Sequence, residues 1–315
     1  MKNILTLTLN PSIDHILTID SISLYKKNLL SDSQVFYAGK VINVAYTLGK
    51  LGAPATAAGL ICGHDLNGFV EKISSANVHS AFTVISGKTR SAYKLMEARS
   101  NRDTEFNQAG SSIKPDDLER LRCDLEHLLK SHDWIALCGS VPAGISSDIY
   151  ASLIKTSRNA GVFTCLDTSG DALIKAVQAL PDILRINRSE LGETISRKIT
   201  NNSDAIEAIK TLQETGMGKV IVSMGAEGAL GFDGEKMIQV HVPKVEVRGL
   251  TGAGDAMTAG LMASLSDGKS FSESLRYRSA VATASTLKLE PGDFNQSALD
   301  QILEKTTVRR RYTAF

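Results

Sequence analysis

Six short apolar runs recur along the chain with helical stretches between them: Ile4 to Leu9, Ala55 to Ile61, Trp134 to Cys138, Val162 to Leu166, Ile183 to Ile186 and Val220 to Ser223. This alternation is the mark of a mainly parallel sheet covered by helices, because parallel strands need long crossovers. Leu118, Leu121, Leu125, Leu128 and Leu129 mark one helical face, and Tyr150, Leu153 and Ile154 mark another. The pattern predicts an α/β fold with a mainly parallel sheet. With 315 residues and 43% hydrophobic content, the chain can bury a large core as one domain over 1–315.

Two stretches break the rhythm. About Asn10 to Tyr37 and about Thr83 to Asn107 lack a helical period and carry short β-like runs such as Ala92 to Glu97. The economical expectation is that both leave the main sheet and pair as a small second sheet. Such a sheet can act as a lid that keeps water from a reactive group; the other reading is a pair of surface hairpins.

The formal net charge is +1 and Lys and Arg are scattered, so no field favours nucleic acid or an anionic membrane. Arg309 to Arg311 run together and read as a solvated end. No apolar run approaches the roughly 20 residues of a membrane helix, and Met1 to Leu5 read as a strand without a cleavage pattern. A cytoplasmic protein is expected. Cys62, Cys123, Cys138 and Cys165 are far apart among apolar neighbours and are expected to be reduced core residues.

Gly252-Ala253-Gly254-Asp255 lies between a β-rich stretch and the helical run Ala256 to Leu265. A turn of small residues opening a helix presents free N–H groups and a positive dipole end to an anion. A carboxylate there would repel a phosphate, yet it is expected if Asp255 takes a proton from a hydroxyl that attacks the phosphate. Alone, the tetrapeptide is weak evidence, since a glycine-rich turn ahead of a helix is often only a loop of tight geometry.

Other constellations sit where strands end. Asn10-Pro11-Ser12-Ile13-Asp14 follows the first strand, placing Asp14 where open α/β folds bind ligands, with a carboxylate able to accept two sugar hydroxyls. Gly39-Lys40-Val41-Ile42-Asn43 leads into a helix and offers close backbone approach, a cation and an amide, a set that suits a phosphorylated polyol. Arg90 and Lys94 are an even number of residues apart, so a strand would put both on one face. They could grip a substrate phosphate or, as spacing alone favours, face solvent. Asn187 and Glu190 share one side of a starting helical turn and could orient water around Mg²⁺ or simply begin the helix. Ser223-Met224-Gly225 could meet nucleotide phosphates through backbone N–H groups.

Taken in order, these pieces resemble the ribokinase-like (PfkB) family of carbohydrate kinases, in its 1-phosphofructokinase and tagatose-6-phosphate kinase branch. The resemblance is carried by Thr8 to Asp14, Gly39-Lys40 with Asn43-Val44-Ala45, Thr89-Arg90, Leu166 to Gly170, Asn187 to Glu190 and Gly252 to Asp255. It implies a three-layer α/β/α core with a β lid, and in many relatives two lids pair into a homodimer. It also implies ATP and Mg²⁺ as cofactors, a small-molecule sugar phosphate as partner, Asp255 as base, and the N–H groups of Gly252, Ala253 and Gly254 as anion hole. Asp14, Gly39 and Asn43 would hold the sugar and Lys40 and Arg90 its phosphate. Asn187 with Glu190 would organise Mg²⁺ through water. Asn187, Ser223, Gly225 and Gly228 would line the ATP site, with Ala282 to Ser285 near the adenine. This chain departs from the pattern at Val41, Tyr46, Ala92, Arg185 and Arg248-Gly249-Leu250, which places substrate identity, more than chemistry, in question.

Overall fold

The computed structural model describes residues 1–100 and 102–311. From the N-terminus the chain forms β1 (Ile4–Thr8), β2 (Ser12–Ile19), β3 (Asp32–Ala38), α1 (Lys40–Lys50), β4 (Ala55–Cys62), α2 (Leu66–Ser74) and β5 (His79–Ile85). It continues through β6 (Arg90–Glu97), β7 (Arg102–Asn107), α3 (Pro115–Leu129), β8 (Trp134–Cys138), α4 (Ile149–Asn159), β9 (Phe163–Asp167), α5 (Gly170–Val177) and β10 (Ile183–Asn187). The remainder is α6 (Arg188–Thr194), α7 (Asn202–Glu214), β11 (Lys219–Ser223), β12 (Ala229–Phe232), β13 (Met237–His241), α8 (Ala253–Ser266), α9 (Phe271–Ser285), α10 (Gln296–Lys305) and β14 (Thr307–Arg311).

Ten strands form the main sheet in the order β14-β13-β12-β11-β10-β9-β8-β1-β4-β5, parallel from β11 to β5 and antiparallel across the last three. All six expected strands fall in its parallel part. Period-two alternation divides the core: Leu5 and Leu7 pack with Ile135 and Leu137 under α3, α4 and α5, whereas Ile4 packs with Ala136 and Cys138 under α1 and α8. Each such aliphatic side chain, fully withdrawn from water, contributes about 1.5–3 kcal/mol.

The two stretches without helical period form the small sheet, in the order β3-β2-β6-β7. Its limits differ from expectation at one point: residues 83–85 belong to β5, which pairs with β4 in the main sheet. The basic run expected at a solvated end lies on the edge strand β14, whose backbone pairs with β13, and Arg309 is exposed there. Cys123 is exposed, unlike the other three cysteines. The buried stripe of α3 runs through Leu121, Leu125 and Leu129, and position 123 points away from it. Among the described residues no helix is long and apolar enough to cross a membrane.

Candidate active site

The carboxyl ends of β1, β8, β9 and β10 converge with the first turn of α8 beneath the small sheet. Asp167, the last residue of β9, is fully buried at their centre. Lys40 Nζ donates to its Oδ1 at 2.7 Å, Arg185 Nη1 donates to both oxygens at 3.2 Å, and Thr258 Oγ1 donates to Oδ2 at 2.8 Å. Burial opposes its charge, but Arg185 and Lys40 outweigh that and hold the carboxyl at about 2. Burial likewise disfavours the Lys40 ammonium, yet Asp167 and Asp255 keep it protonated, above its ordinary value.

Asp255, in the first turn of α8, is 8% exposed and accepts a bond from Asn43 Nδ2 at 2.8 Å. Burial raises its carboxyl to about 6, against the pull of Lys40 and the Asn43 bond. Such a group is ionised at neutral pH and still basic enough to accept a proton from an alcohol in a transition state. Gly252 caps the helix at φ +80, where a Cβ would stand 2.7 Å from Gly292 N. That turn admits only glycine. The Ala253 N–H is spent on Leu250 O at 3.2 Å, while those of Gly252 and Gly254 have no backbone partner among the described residues. Of the three anion-hole groups expected, two are free in this conformation.

A cavity of about 250 Å³ is lined by Asp14, Gly39, Lys40, Asn43, Arg90 and Asp255. Every expected sugar-side residue therefore meets the expected base. Asp14 reaches it from β2 of the small sheet rather than from the end of a main-sheet strand; Ser12 Oγ donates to it at 2.6 Å, and burial raises its pKa. Lys94 also lines the cavity and is 8% exposed, so the solvent-face reading of β6 does not hold. Its ammonium binds Thr251 Oγ1 at 2.8 Å and Asp103 at 2.5 Å, tying the small sheet to the turn before α8. A second cavity of about 520 Å³ shares Lys40 and Arg90 and adds Asn10, Ser140 and Gly139. Separate from both, a cavity of about 350 Å³ near Met1, Leu51 and Tyr277 holds none of these groups.

The nucleotide-side expectations are placed less directly. Asn187 and Glu190 form a reciprocal cap on α6: Asn187 Oδ1 accepts from Glu190 N at 2.9 Å and Glu190 Oε2 from Asn187 N at 2.7 Å. Ser223 Oγ accepts from Arg185 Nη2 at 3.1 Å. Gly225 and Gly228 bracket a 3₁₀ turn, and a Cβ on Gly228 would stand 2.0 Å from Val240 O, so strand packing alone requires that glycine.

Asp167, Ser140 and Thr251 carry no role in the sequence reading. One signal was available: a charged residue inside the apolar run Ile183-Leu184-Arg185-Ile186 must have a buried partner, and Asp167 on the neighbouring strand is that partner.

An α/β fold with a small second sheet closing over a buried carboxylate, two cations and a glycine-capped helix defines a carbohydrate kinase architecture. The chain belongs to the pfkB family carbohydrate kinases, whose model matches residues 7–298. It is 33% identical over 289 residues to the 1-phosphofructokinase of Rhodobacter capsulatus, covering 91% of this chain and 92% of that one. It is 28% identical to the tagatose-6-phosphate kinase of Staphylococcus epidermidis, covering 97% and 99%. Among solved structures, phosphofructokinase-2 from Escherichia coli in complex with fructose-6-phosphate superposes with a TM-score of 0.86 at 28% identity, covering 96% of this chain and 99% of that one.

Proposed function

We propose that the chain transfers the γ-phosphoryl group of ATP to a hydroxyl of a ketohexose phosphate, with fructose 1-phosphate the first candidate and tagatose 6-phosphate or fructose 6-phosphate next. The observation that carries this reading is the pair of cavities sharing Lys40 and Arg90, one of them lined by Asp255. A substrate with its hydroxyl at Asp255 would lay its phosphate toward Arg90, Lys40 and Ser140. The names of the relatives support the same class of substrate.

Asp255 accepts the hydroxyl proton as the attack develops, and Asn43 fixes the carboxylate for it. Lys40 holds positive charge between Asp167 and Asp255, where negative charge grows on the transferred group. Asp14 and Asn43 orient the sugar, and the small sheet excludes water.

Mg²⁺ fits the donor set in one mode only. Among the described residues no cluster of three or more His, Cys, Asp or Glu side chains forms a cage. The α6 cap engages Oε2 of Glu190, leaving Oε1 for a metal-bound water, and Mg²⁺ commonly binds through one or two carboxylates, waters and substrate phosphates. Glu190 and Asn187 would hold it, and it would neutralise phosphate charge.

Exposed Val35 and Phe106 on the small sheet, with Leu24, Leu29 and Tyr25 in its loop, support pairing of two copies through their lids. The deciding experiment is ADP release from MgATP with fructose 1-phosphate, fructose 6-phosphate, tagatose 6-phosphate, fructose and ribose. Turnover on one phosphosugar that vanishes in Asp255→Asn is expected; turnover confined to unphosphorylated sugars would overturn the phosphate assignment.

A further inference from the structure

Arg278, on α9, is the largest fully buried side chain among the described residues, and nothing in the site described above uses it. Its surroundings are unusual for a structural arginine. Arg276, two residues earlier, spends its guanidinium on the carbonyls of Thr306 and Leu303, and Arg158 spends its own on Ala179 and Leu180. Arg278 makes no such bonds: Nε and Nη1 have no hydrogen-bond partner among the described residues, and Nη2 meets only the thioether of Met257 at 2.9 Å. A thioether is a weak acceptor and carries no compensating charge.

The carboxylate that could compensate is already engaged, since Asp167 accepts from Lys40, Arg185 and Thr258. Burial and the adjacent Arg185 lower Arg278 to about 9, which leaves it cationic at neutral pH. Asp167 acts on Arg278 only through space and offsets burial and Arg185 in part; a buried cation so weakly compensated is unfavourable, and a fold that keeps one gains from an anion arriving nearby.

The place where it waits is specific. Met257 opens the second turn of α8, two residues beyond Asp255, and is partly exposed. Arg185 touches the same sulfur at 3.9 Å, and its Nη2 lies 3.0 Å from where a Cβ on Gly254 would be. Two guanidiniums therefore gather behind one helical turn whose free N–H groups form the anion cradle. Gly260 lets α9 approach α8 so closely, since a Cβ there would stand 3.0 Å from Arg278 Cα.

We propose that Arg278 is a positioning residue for the nucleotide: its incompletely compensated charge, stationed with Arg185 behind the first turn of α8, strengthens the hold of that turn on the phosphates. The inference rests on the kinase reading for the identity of the anion. It acts through space and through Met257, without contact to the sugar. Because the charge is buried, its influence is little screened by salt.

The test is binding of adenosine, ADP and MgATP to the full chain by calorimetry, for wild type, Arg278→Met and Arg278→Lys, in low salt and in 0.5 M salt. Arg278→Met should weaken ADP and MgATP roughly tenfold, the scale of one lost charge interaction in a partly desolvated site. Adenosine should bind unchanged, the loss should persist in high salt, and the unliganded variant should melt higher than wild type. Arg278→Lys should retain most of the phosphate-dependent affinity. Equal weakening of adenosine and MgATP would mark a structural role and overturn the proposal, as would no weakening of either. Should Arg278→Met not fold, Arg278→Gln against Arg278→Lys gives the same comparison. A wild-type chain that binds nucleotide yet turns over no sugar would refute the kinase reading while leaving this result to stand or fall by itself.

Discussion

Asp255→Asn separates chemistry from stability in opposite directions. The wild-type carboxyl is raised from 3.8 to about 6 by burial, so the folded state binds a proton more tightly than the unfolded chain. The sign follows: below about pH 3.8 both states are protonated and there is no penalty. As pH rises toward 6 the unfolded chain ionises first, and above 6 the full penalty of a buried carboxylate is present. At about 1.36 kcal/mol per tenfold step in acidity, the gap corresponds to roughly 3 kcal/mol. Asparagine keeps the shape and can still accept the bond from Asn43, so the variant should be about 3 kcal/mol more stable at pH 7.5. With roughly 2.1 cal/mol/K of unfolding entropy per residue, this raises Tm by about 4 °C in a chain of 315 residues. Turnover should fall by several orders of magnitude with nucleotide affinity nearly intact. The assay is differential scanning calorimetry at pH 4, 5, 6 and 7.5 beside ADP release. A gain that is the same at pH 4 and pH 7.5, or a variant less stable at neutral pH, would refute the assignment of burial as the cause; retained turnover would refute Asp255 as base.

Wild-type kcat/KM should fall as pH drops through about 6, giving an acidic limb, because Asp255 must be ionised to accept a proton. Lys40→Met removes a cation that lowers Asp255, so this limb should move upward in a pH profile, with kcat/KM down by ~100-fold or more. Gly252→Ala forces a side chain into φ +80 and against Gly292 N, and urea unfolding should show a loss of about 1–3 kcal/mol. Lys94→Met breaks the tie from the small sheet to Thr251, and steady-state kinetics should show the sugar KM raised roughly tenfold with nucleotide KM little changed.

The sheet was legible in the sequence because a strand covered on both faces is mostly apolar and free of charge, as Ile4 to Leu9 and Ala55 to Ile61 are, and such runs have few competing readings. The small sheet was legible by contrast, as a loss of period. What stayed hidden is long-range pairing. Asp167 ends an apolar run like any strand-terminal polar residue, and nothing local says that Lys40, 127 positions away, closes on it. β5 was missed because its outer residues are exposed, which dilutes the apolar signal, and the antiparallel strands β12 and β13 because they follow β11 with no helical crossover between them to announce them. Asn187 and Glu190 show the converse limit, since the spacing that suggests a metal site also makes a helix cap, and the structure uses both side chains for the cap. The residues that local rules flag as misplaced proved more informative than those matching a motif. Arg185 in an apolar strand and Arg278 on the buried face of α9, just before Ser279-Ala280-Val281-Ala282, break the pattern of their elements, and both guanidiniums lie behind the turn that holds Asp255. A charge withdrawn from water is kept only where something offsets it; for Arg185 that is its ion pair with Asp167, whereas Arg278 feels Asp167 only through space and makes no ion pair among the described residues.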